Sequence, residues 1–337
     1  MKNVEKEIGG KTLTLETGKI ARQSAGSIVL TYGETVLLVA VNAAKEARED
    51  IGYFPLQVEY REKHYASGKI PGGFFKREAR PTEGEVLTSR LTDRPIRPLF
   101  PKSFKNETQV MVTVLQSDGE NLSDTWAGVG ASAALLISNI PWNGPIATVR
   151  VGLIGSDFVF NPTREQLGEC LFEMVVSGNK ENIVMVEGEA KEVKEDVVIE
   201  GLKYAHKYIL EIISVQEDLA SMLDISKMDI SEVAQNTELD AFVKDDFSDK
   251  IDQIVKITDK IVRNESKTEL TEAILSSANE KFPEQEKEIK SIIDVLFKES
   301  MREMILSHGV RSDGRATTDI REITIDPSIL KRVHGSE

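Results

Sequence analysis

From Thr12 to Asn42 the sequence sets down short β-rich runs, TLTLE, SIVLTY and TVLLVAVNA, and breaks them at Gly18, Gly26 and Gly33. Apolar and β-branched residues alternating between glycines are the pattern of antiparallel strands joined by tight turns. The same pattern returns at Gln57 to Tyr60, in QVMVTVLQ, and in ATVRVGLIG, FEMVVSG and NIVMVEGEA, the last two punctuated by Gly178 and Gly188. Helical patterns lie among them. TWAGVGASAALLIS packs small residues that allow close approach to a sheet, with Ser123 or Asp124 available as a cap. In Glu192 to Ile213, Val198, Leu202, Ala205, Ile209 and Ile212 recur at helical spacing. The fold class predicted for residues 1–228 is α+β, with a sheet that has both open and helix-covered faces.

Past Met228 the composition turns acidic and β-poor. Leu239 to Val262 repeats apolar residues at Ile251, Ile254, Val255, Ile261 and Val262, and Ser266 with Glu269 reads as a capping box ahead of Leu270, Ile274 and Leu275. Glu284 to Leu306 carries one apolar stripe, Ile289, Ile293, Leu296, Phe297, Met301 and Met304 among it, with Pro283 at its start. A packed helical domain is predicted over 229–306. From Ser307 the pattern turns back to β, and IREITIDPSILKRVHGSE echoes TLTLETGKIARQSAGS near the start of the chain. The first copy goes on to SIVLTYGETVLLV, whereas the second stops at Glu337, so the strand it opens is expected to lack its hairpin partner and the stop reads as a truncation.

Composition closes several possibilities. No apolar run approaches the length of a membrane span, and Met1 to Lys11 is charged throughout, so neither a membrane segment nor a signal peptide is expected and the chain reads as cytoplasmic. Cys170, the one cysteine, sits in apolar surroundings as a core thiol. His64, His206, His308 and His334 make no metal spacing. Gly128, Gly130 and Ala133 spell G-x-G-x-x-A, yet they fall inside a helix pattern with no ribose-binding acid placed after them, which argues against a dinucleotide site. Asp118, Glu120 and Asp124 could ligate Mg2+ or cap the following helix.

The formal net charge of −14 excludes a chain that coats itself in nucleic acid, so any such contact must be local. One place concentrates cations. Ser67 to Pro101 carries Lys69, Lys76, Arg77, Arg80, Arg90, Arg94 and Arg97 against Glu78, Glu83, Glu85 and Asp93. Pro71, Gly72 and Gly73 deny Phe74 and Phe75 regular structure, which places adjacent aromatics on a loop beside Lys76 and Arg77. Rings that stack bases and cations that meet phosphates suit single-stranded nucleic acid. If Glu83 to Arg94 is helical and stops at Pro95 and Pro98, then Arg90, Arg94 and Arg97 lie along one side of it. The alternative is that the rings dock into a core and that Asp93 and Glu85 neutralise the arginines on a solvated face.

GGFFKREARPTEGEVLTSRLTDRPIRPLFP resembles the FFRR-loop segment of the bacterial polynucleotide phosphorylases, phosphate-dependent 3′ to 5′ exoribonucleases built from two RNase PH-like cores. The likeness extends from GGKTLTLETGKIARQSAGSIVLTYGETVLLV to RSDGRATTDIREI and HGSE, over the whole chain. Lys76 departs from the family, which usually has the first arginine of FFRR there; the charge survives and the two-pronged grip on phosphate does not. The resemblance implies a first RNase PH-like core at 1–228, an all-helical linker domain at 229–306 and the truncated start of a second core at 307–337. It implies degradation of single-stranded RNA to nucleoside diphosphates with inorganic phosphate and Mg2+, reversible as template-free polymerisation. It also implies a role in mRNA turnover, a homotrimeric ring and partners in an RNA-degrading complex. The RNA-binding residues so implied are Phe74, Phe75, Lys76, Arg77, Arg80, Arg90, Arg94 and Arg97. In the family the phosphate-binding serines, catalytic carboxylates and lysine, and Mg2+ ligands belong to the second core, so no catalytic or metal residue is expected in these 337 residues, which alone are expected to be inactive. The other reading is an RNA-binding, ring-forming module without chemistry.

Overall fold

In the computed structural model, which describes residues 1–47, 53–230, 236–279, 281–327 and 329–335, the chain divides into two compact units, Met1–Glu232 and Val233–Glu337. The first unit begins with strands β1 (Lys2–Ile8), β2 (Lys11–Thr17), β3 (Gly26–Tyr32), β4 (Thr35–Ala47) and β5 (Leu56–Glu62), followed by a 3-10 turn at His64–Ser67. Helix α1 (Glu83–Ile96), strand β6 (Asn106–Gln116) and helix α2 (Asp124–Ile137) come next. After β7 (Ala147–Ile154), β8 (Asp157–Phe160), the short α3 (Arg164–Leu167), β9 (Phe172–Gly178) and β10 (Ile183–Ala190), helix α4 (Glu195–Ser221) closes the unit.

The strands form a six-stranded sheet of order β1-β2-β3-β4-β6-β5 and a four-stranded sheet of order β10-β9-β7-β8. Only the β5–β6 pairing is parallel among those described. The alternation predicted for β4 is real: Thr35, Leu37, Val39 and Val41 are buried and the residues between them are not. Helix α2 lies against strands of both sheets, β3 and β4 on one side and β7 on the other. That location explains the glycine motif. A Cβ on Gly128 would stand 2.5 Å from the Thr148 hydroxyl in β7, and one on Gly130 would stand 2.6 Å from a Val39 methyl in β4. The two glycines let one helix touch two sheets, which is a packing role and not a cofactor role. Trp126 on the same helix, 1% exposed, packs its ring 4.2 Å from Tyr32 of β3 and 6.5 Å from Phe160 of β8. Cys170 is buried, as expected of a core thiol.

Several elements differ from the sequence reading. β1 is absent from that reading, because its charged residues alternate with only Val4 and Ile8 on the inner side; it is an edge strand that turns into β2 through Gly9 and Gly10, both left-handed. Neither Ser123 nor Asp124 acts as the expected side-chain cap of α2. The Ser123 hydroxyl is 2.6 Å from the Tyr60 hydroxyl, and Asp124 is held by Arg150 at 2.5 Å. Helix α4 runs on to Ser221 because Val215 and Leu219 extend its buried stripe.

The second unit packs α5 (Thr237–Val255), α6 (Lys260–Asn279) and α7 (Glu286–His308) around Leu239, Val243, Ile251, Ile274, Ile289 and Ile293. The apolar repeat from Leu239 to Val262 is split between two helices. Asp259 caps the second by accepting from the backbone N–H groups of Ile261 and Val262, at 2.8 and 3.0 Å. Ser266 therefore lies inside α6, and the Ser266–Glu269 capping box does not form. The return to β after Ser307 is also corrected: among the described residues this stretch holds only an isolated bridge between Val310 and Ala316. Ile320, Ile323 and Ile325 stay exposed there, since no neighbouring strand supplies them with partners. Ser336 and Glu337, the end of the repeated HGSE, lie outside the described residues. No helix of the described residues is long and apolar enough to cross a membrane.

Candidate nucleic-acid interface

The loop between the 3-10 turn and α1 leaves the body at Gly68, which is left-handed, and returns at Thr82. Its return is fixed locally. The Thr82 side chain accepts from the Glu85 N–H, and a Glu85 carboxylate oxygen accepts from the Thr82 N–H at 2.6 Å. The other Glu85 oxygen accepts from the Glu62 N–H at 2.9 Å and lies 3.7 Å from Arg61. Burial alone would raise the Glu85 pKa, but these N–H donors, the Thr82 hydroxyl and Arg61 together hold it below the usual carboxylate range.

At the tip, Phe74 is 92% exposed and Phe75 73% exposed, so the rings do not dock into a core. They meet edge to face at 5.4 Å, and the Arg77 guanidinium lies over the Phe75 ring at 5.0 Å. Among the described residues nothing stands within 4 Å of where a Cβ on Gly72 or Gly73 would be, so the tip projects away from them. Gly73 and Lys76 are both left-handed, at φ 75° and 49°. In lysine this conformation is uncommon, and it turns the chain sharply between the rings and Arg77.

The structure divides the eight residues singled out in the sequence. Phe74, Phe75, Lys76, Arg77 and Arg80 share the exposed loop, and Lys76, Arg77, Arg80 and Arg90 form no ion pair among the described residues. Arg94 is paired with Glu187 of β10, both partners being about half exposed. Such a surface pair contributes at most about 1 kcal/mol and can be exchanged for a phosphate. Arg97 is engaged otherwise: it grips both oxygens of Asp93 at 2.9 and 2.6 Å and donates to the carbonyls of Phe54 and Leu56 at 3.1 and 2.9 Å. Pro95 falls within the last turn of α1 and does not end it, so Arg97 caps the helix instead of extending a free row of guanidiniums. Arg97→Gln is accordingly expected to lower stability by about 1–2 kcal/mol in urea unfolding while leaving the salt dependence of RNA binding unchanged.

The acidic cluster Asp118, Glu120 and Asp124 does not fit a divalent ion. Asp118 already accepts from the N–H groups of Glu120, Asn121 and Glu34 and from the Asn121 amide, and Asp124 from Thr125 and Arg150. Glu120 faces Lys11 at 3.7 Å. Among the described residues no group of histidine, cysteine or carboxylate side chains could hold a metal. The Tyr60 hydroxyl, buried between Glu62 and Ser123, has its pKa pushed up by burial first and then by the Glu62 charge, so it remains a neutral structural donor.

Residues 9–141 match the 3′ exoribonuclease family, domain 1, and residues 144–208 match domain 2 of the same family. Residues 238–316 match the polyribonucleotide nucleotidyltransferase RNA binding domain. The polyribonucleotide nucleotidyltransferase of Geotalea uraniireducens is 44% identical over 333 residues, covering 99% of this chain and 48% of the relative. Those of Geobacter sulfurreducens and Thermomicrobium roseum are 45% and 44% identical, covering 99% and 98% of this chain and 48% and 43% of theirs. The crystal structure of rice (Oryza sativa) Rrp46 aligns with a TM-score of 0.51 at 13% identity, over 61% of this chain and 93% of its own, which is likeness of fold. The chain spans about half the length of the curated relatives it matches, and it belongs to the polyribonucleotide nucleotidyltransferase family.

Proposed function

We propose that this chain is the RNA-holding half of a phosphate-dependent 3′ to 5′ exoribonuclease that degrades single-stranded RNA to nucleoside diphosphates and can run in reverse without a template. The observation that carries this reading is the loop tip, where two phenylalanines 92% and 73% exposed stand beside cations with no ion-pair partner among the described residues. Stacking is indifferent to sequence because every base has a π-face, so the loop suits a processive enzyme more than a sequence reader. Inorganic phosphate and Mg2+ act in this proposal at groups outside residues 1–337, because Asp118 and Asp124 are already satisfied by protein donors. A threefold ring, a place in mRNA turnover with other RNA-degrading proteins, and a cytoplasmic location belong to the same proposal.

The test has a binding arm and a turnover arm. With Lys76, Arg77 and Arg80 all replaced by glutamine, the slope of log affinity against log salt for a single-stranded oligoadenylate should flatten by about 2, each lost phosphate contact removing about 0.7. A polypeptide of residues 1–337 should release no nucleoside diphosphate from poly(A) with phosphate and Mg2+. An unchanged slope contradicts the binding role, and turnover by the purified polypeptide contradicts the division of labour.

A further inference from the structure

The two legs of the loop are tied to the body differently. On the outgoing leg the Lys69 N–H donates to the His64 carbonyl at 3.0 Å and Pro71 is half-buried, while among the described residues no neighbour stands within 4 Å of the Cβ positions of Gly68, Gly72 or Gly73. The returning leg and the first turn of α1 are gripped by four consecutive residues, Arg61 to His64, which run from the end of β5 into the 3-10 turn. Arg61 donates to the Ala79 carbonyl at 3.0 Å and the Glu62 N–H to Glu85 at 2.9 Å. Lys63 donates to one Glu78 oxygen at 2.5 Å and the His64 N–H to the other at 3.2 Å. Glu78 is thus the grip nearest the rings, three residues beyond Phe75, with its side chain 23% exposed. The Lys63 hydrogen bond, followed by the His64 N–H and the Lys63 charge, holds its carboxyl below the usual carboxylate range.

We propose that Glu78, clamped by Lys63 and the His64 N–H, is the positioning residue that presents Phe74 and Phe75 to RNA, although it carries the wrong charge to touch a phosphate. The inference rests on the reading of the loop as an RNA contact and adds a role for a carboxylate inside it. Holding a flexible tip in its bound form lowers the ordering cost of binding. The sign of the effect separates this role from simple electrostatics. Removing an anion from among Lys76, Arg77 and Arg80 should tighten RNA binding if Glu78 were only a neighbouring charge. If Glu78 positions the rings, removing it should weaken binding.

The experiment measures binding of a fluorescein-labelled oligoadenylate to the full 337-residue chain. Glu78→Ala is expected to bind roughly fivefold to tenfold more weakly than wild type. The charge-swapped pair Lys63→Glu with Glu78→Lys should recover part of the loss by restoring the ion pair. An RNA-independent arm follows tryptic cutting after Lys76 and Arg77 in Lys63→Met, which removes the side-chain half of the Glu78 clamp without altering the sequence around those bonds. Faster cutting than wild type, with an unchanged unfolding midpoint, is expected. Unchanged cutting overturns the clamp whatever the RNA result. Faster cutting with equal or tighter binding by Glu78→Ala, while Phe74→Ala still weakens it, overturns positioning and leaves the RNA contact standing. Faster cutting with neither substitution affecting RNA overturns the RNA reading, and the proposed role with it.

Discussion

Replacing Phe74 and Phe75 together with alanine is expected to weaken binding of a single-stranded oligoadenylate by roughly 2 kcal/mol or more, about a thirtyfold loss in affinity. The size follows from stacking, at about 1–3 kcal/mol per base, and from exposure so high that truncating the rings leaves no cavity behind. Stability should therefore be untouched while affinity falls. The two rings are not equivalent. Arg77 lies over the Phe75 ring at 5.0 Å, whereas no cation of the described residues lies over Phe74, which is the more exposed, so Phe74→Ala alone should account for most of the loss. Titrations at several salt concentrations separate this variant from the cation variants, because losing a stack lowers affinity without changing the salt slope. Wild-type binding by the double variant would show that the exposed rings serve some other contact.

The largest effect on stability is expected at Trp126. Trp126→Ala should destabilise the first unit by about 3–5 kcal/mol, the usual range for removing a large buried aromatic. Its ring bridges the two sheets through Tyr32 and Phe160, so the loss is shared by both and neither can relax far enough to fill the gap. Trp142, 6% exposed with its indole N–H donating to the Ile96 carbonyl at 3.0 Å, is the other tryptophan and remains as a fluorescent reporter of the same unit. Urea unfolding followed through Trp142 should show a lower midpoint at an unchanged slope. A shift worth less than about 1.5 kcal/mol would mean that α2 is held by its small-residue contacts alone.

Much of the first unit is legible in the sequence because glycines and alternating β-branched residues punctuate it at the right intervals. β2, β3, β4, β6, β7, β9 and β10 all fall where those runs do. β1 is hidden because an edge strand can expose its charges, so KNVEKEI shows only a sparse alternation. In the helical unit, periodicity carries across the break at Lys256 to Asp259, since apolar spacing does not register a change of direction; the Asp259 cap is the available signal. The loop is legible from Pro71, Gly72 and Gly73, whereas the choice between docked and exposed rings is decided only by their 92% and 73% exposure in the structure. The arginines are not legible. Helical spacing groups Arg90, Arg94 and Arg97, but their fates depend on Glu187, 93 residues from Arg94, and on the Phe54 and Leu56 carbonyls, 43 and 41 residues from Arg97. Glu78 is illegible for the same reason: beside a cationic run it looks like a neutralising charge, and its clamp lies on another element.

In the proposed function RNA meets this chain at the aromatic loop, even though residues 238–316 match the polyribonucleotide nucleotidyltransferase RNA binding domain. In that segment carboxylates outnumber cations, which disfavours a polyanion. The most direct measurement is photo-crosslinking of a 4-thiouridine-containing single-stranded RNA to the chain, followed by tryptic digestion and mass spectrometry. The adduct is expected on the peptide Ile70 to Lys76, which holds both phenylalanines. Adducts confined to peptides from 238–316, with none on Ile70 to Lys76, would contradict it.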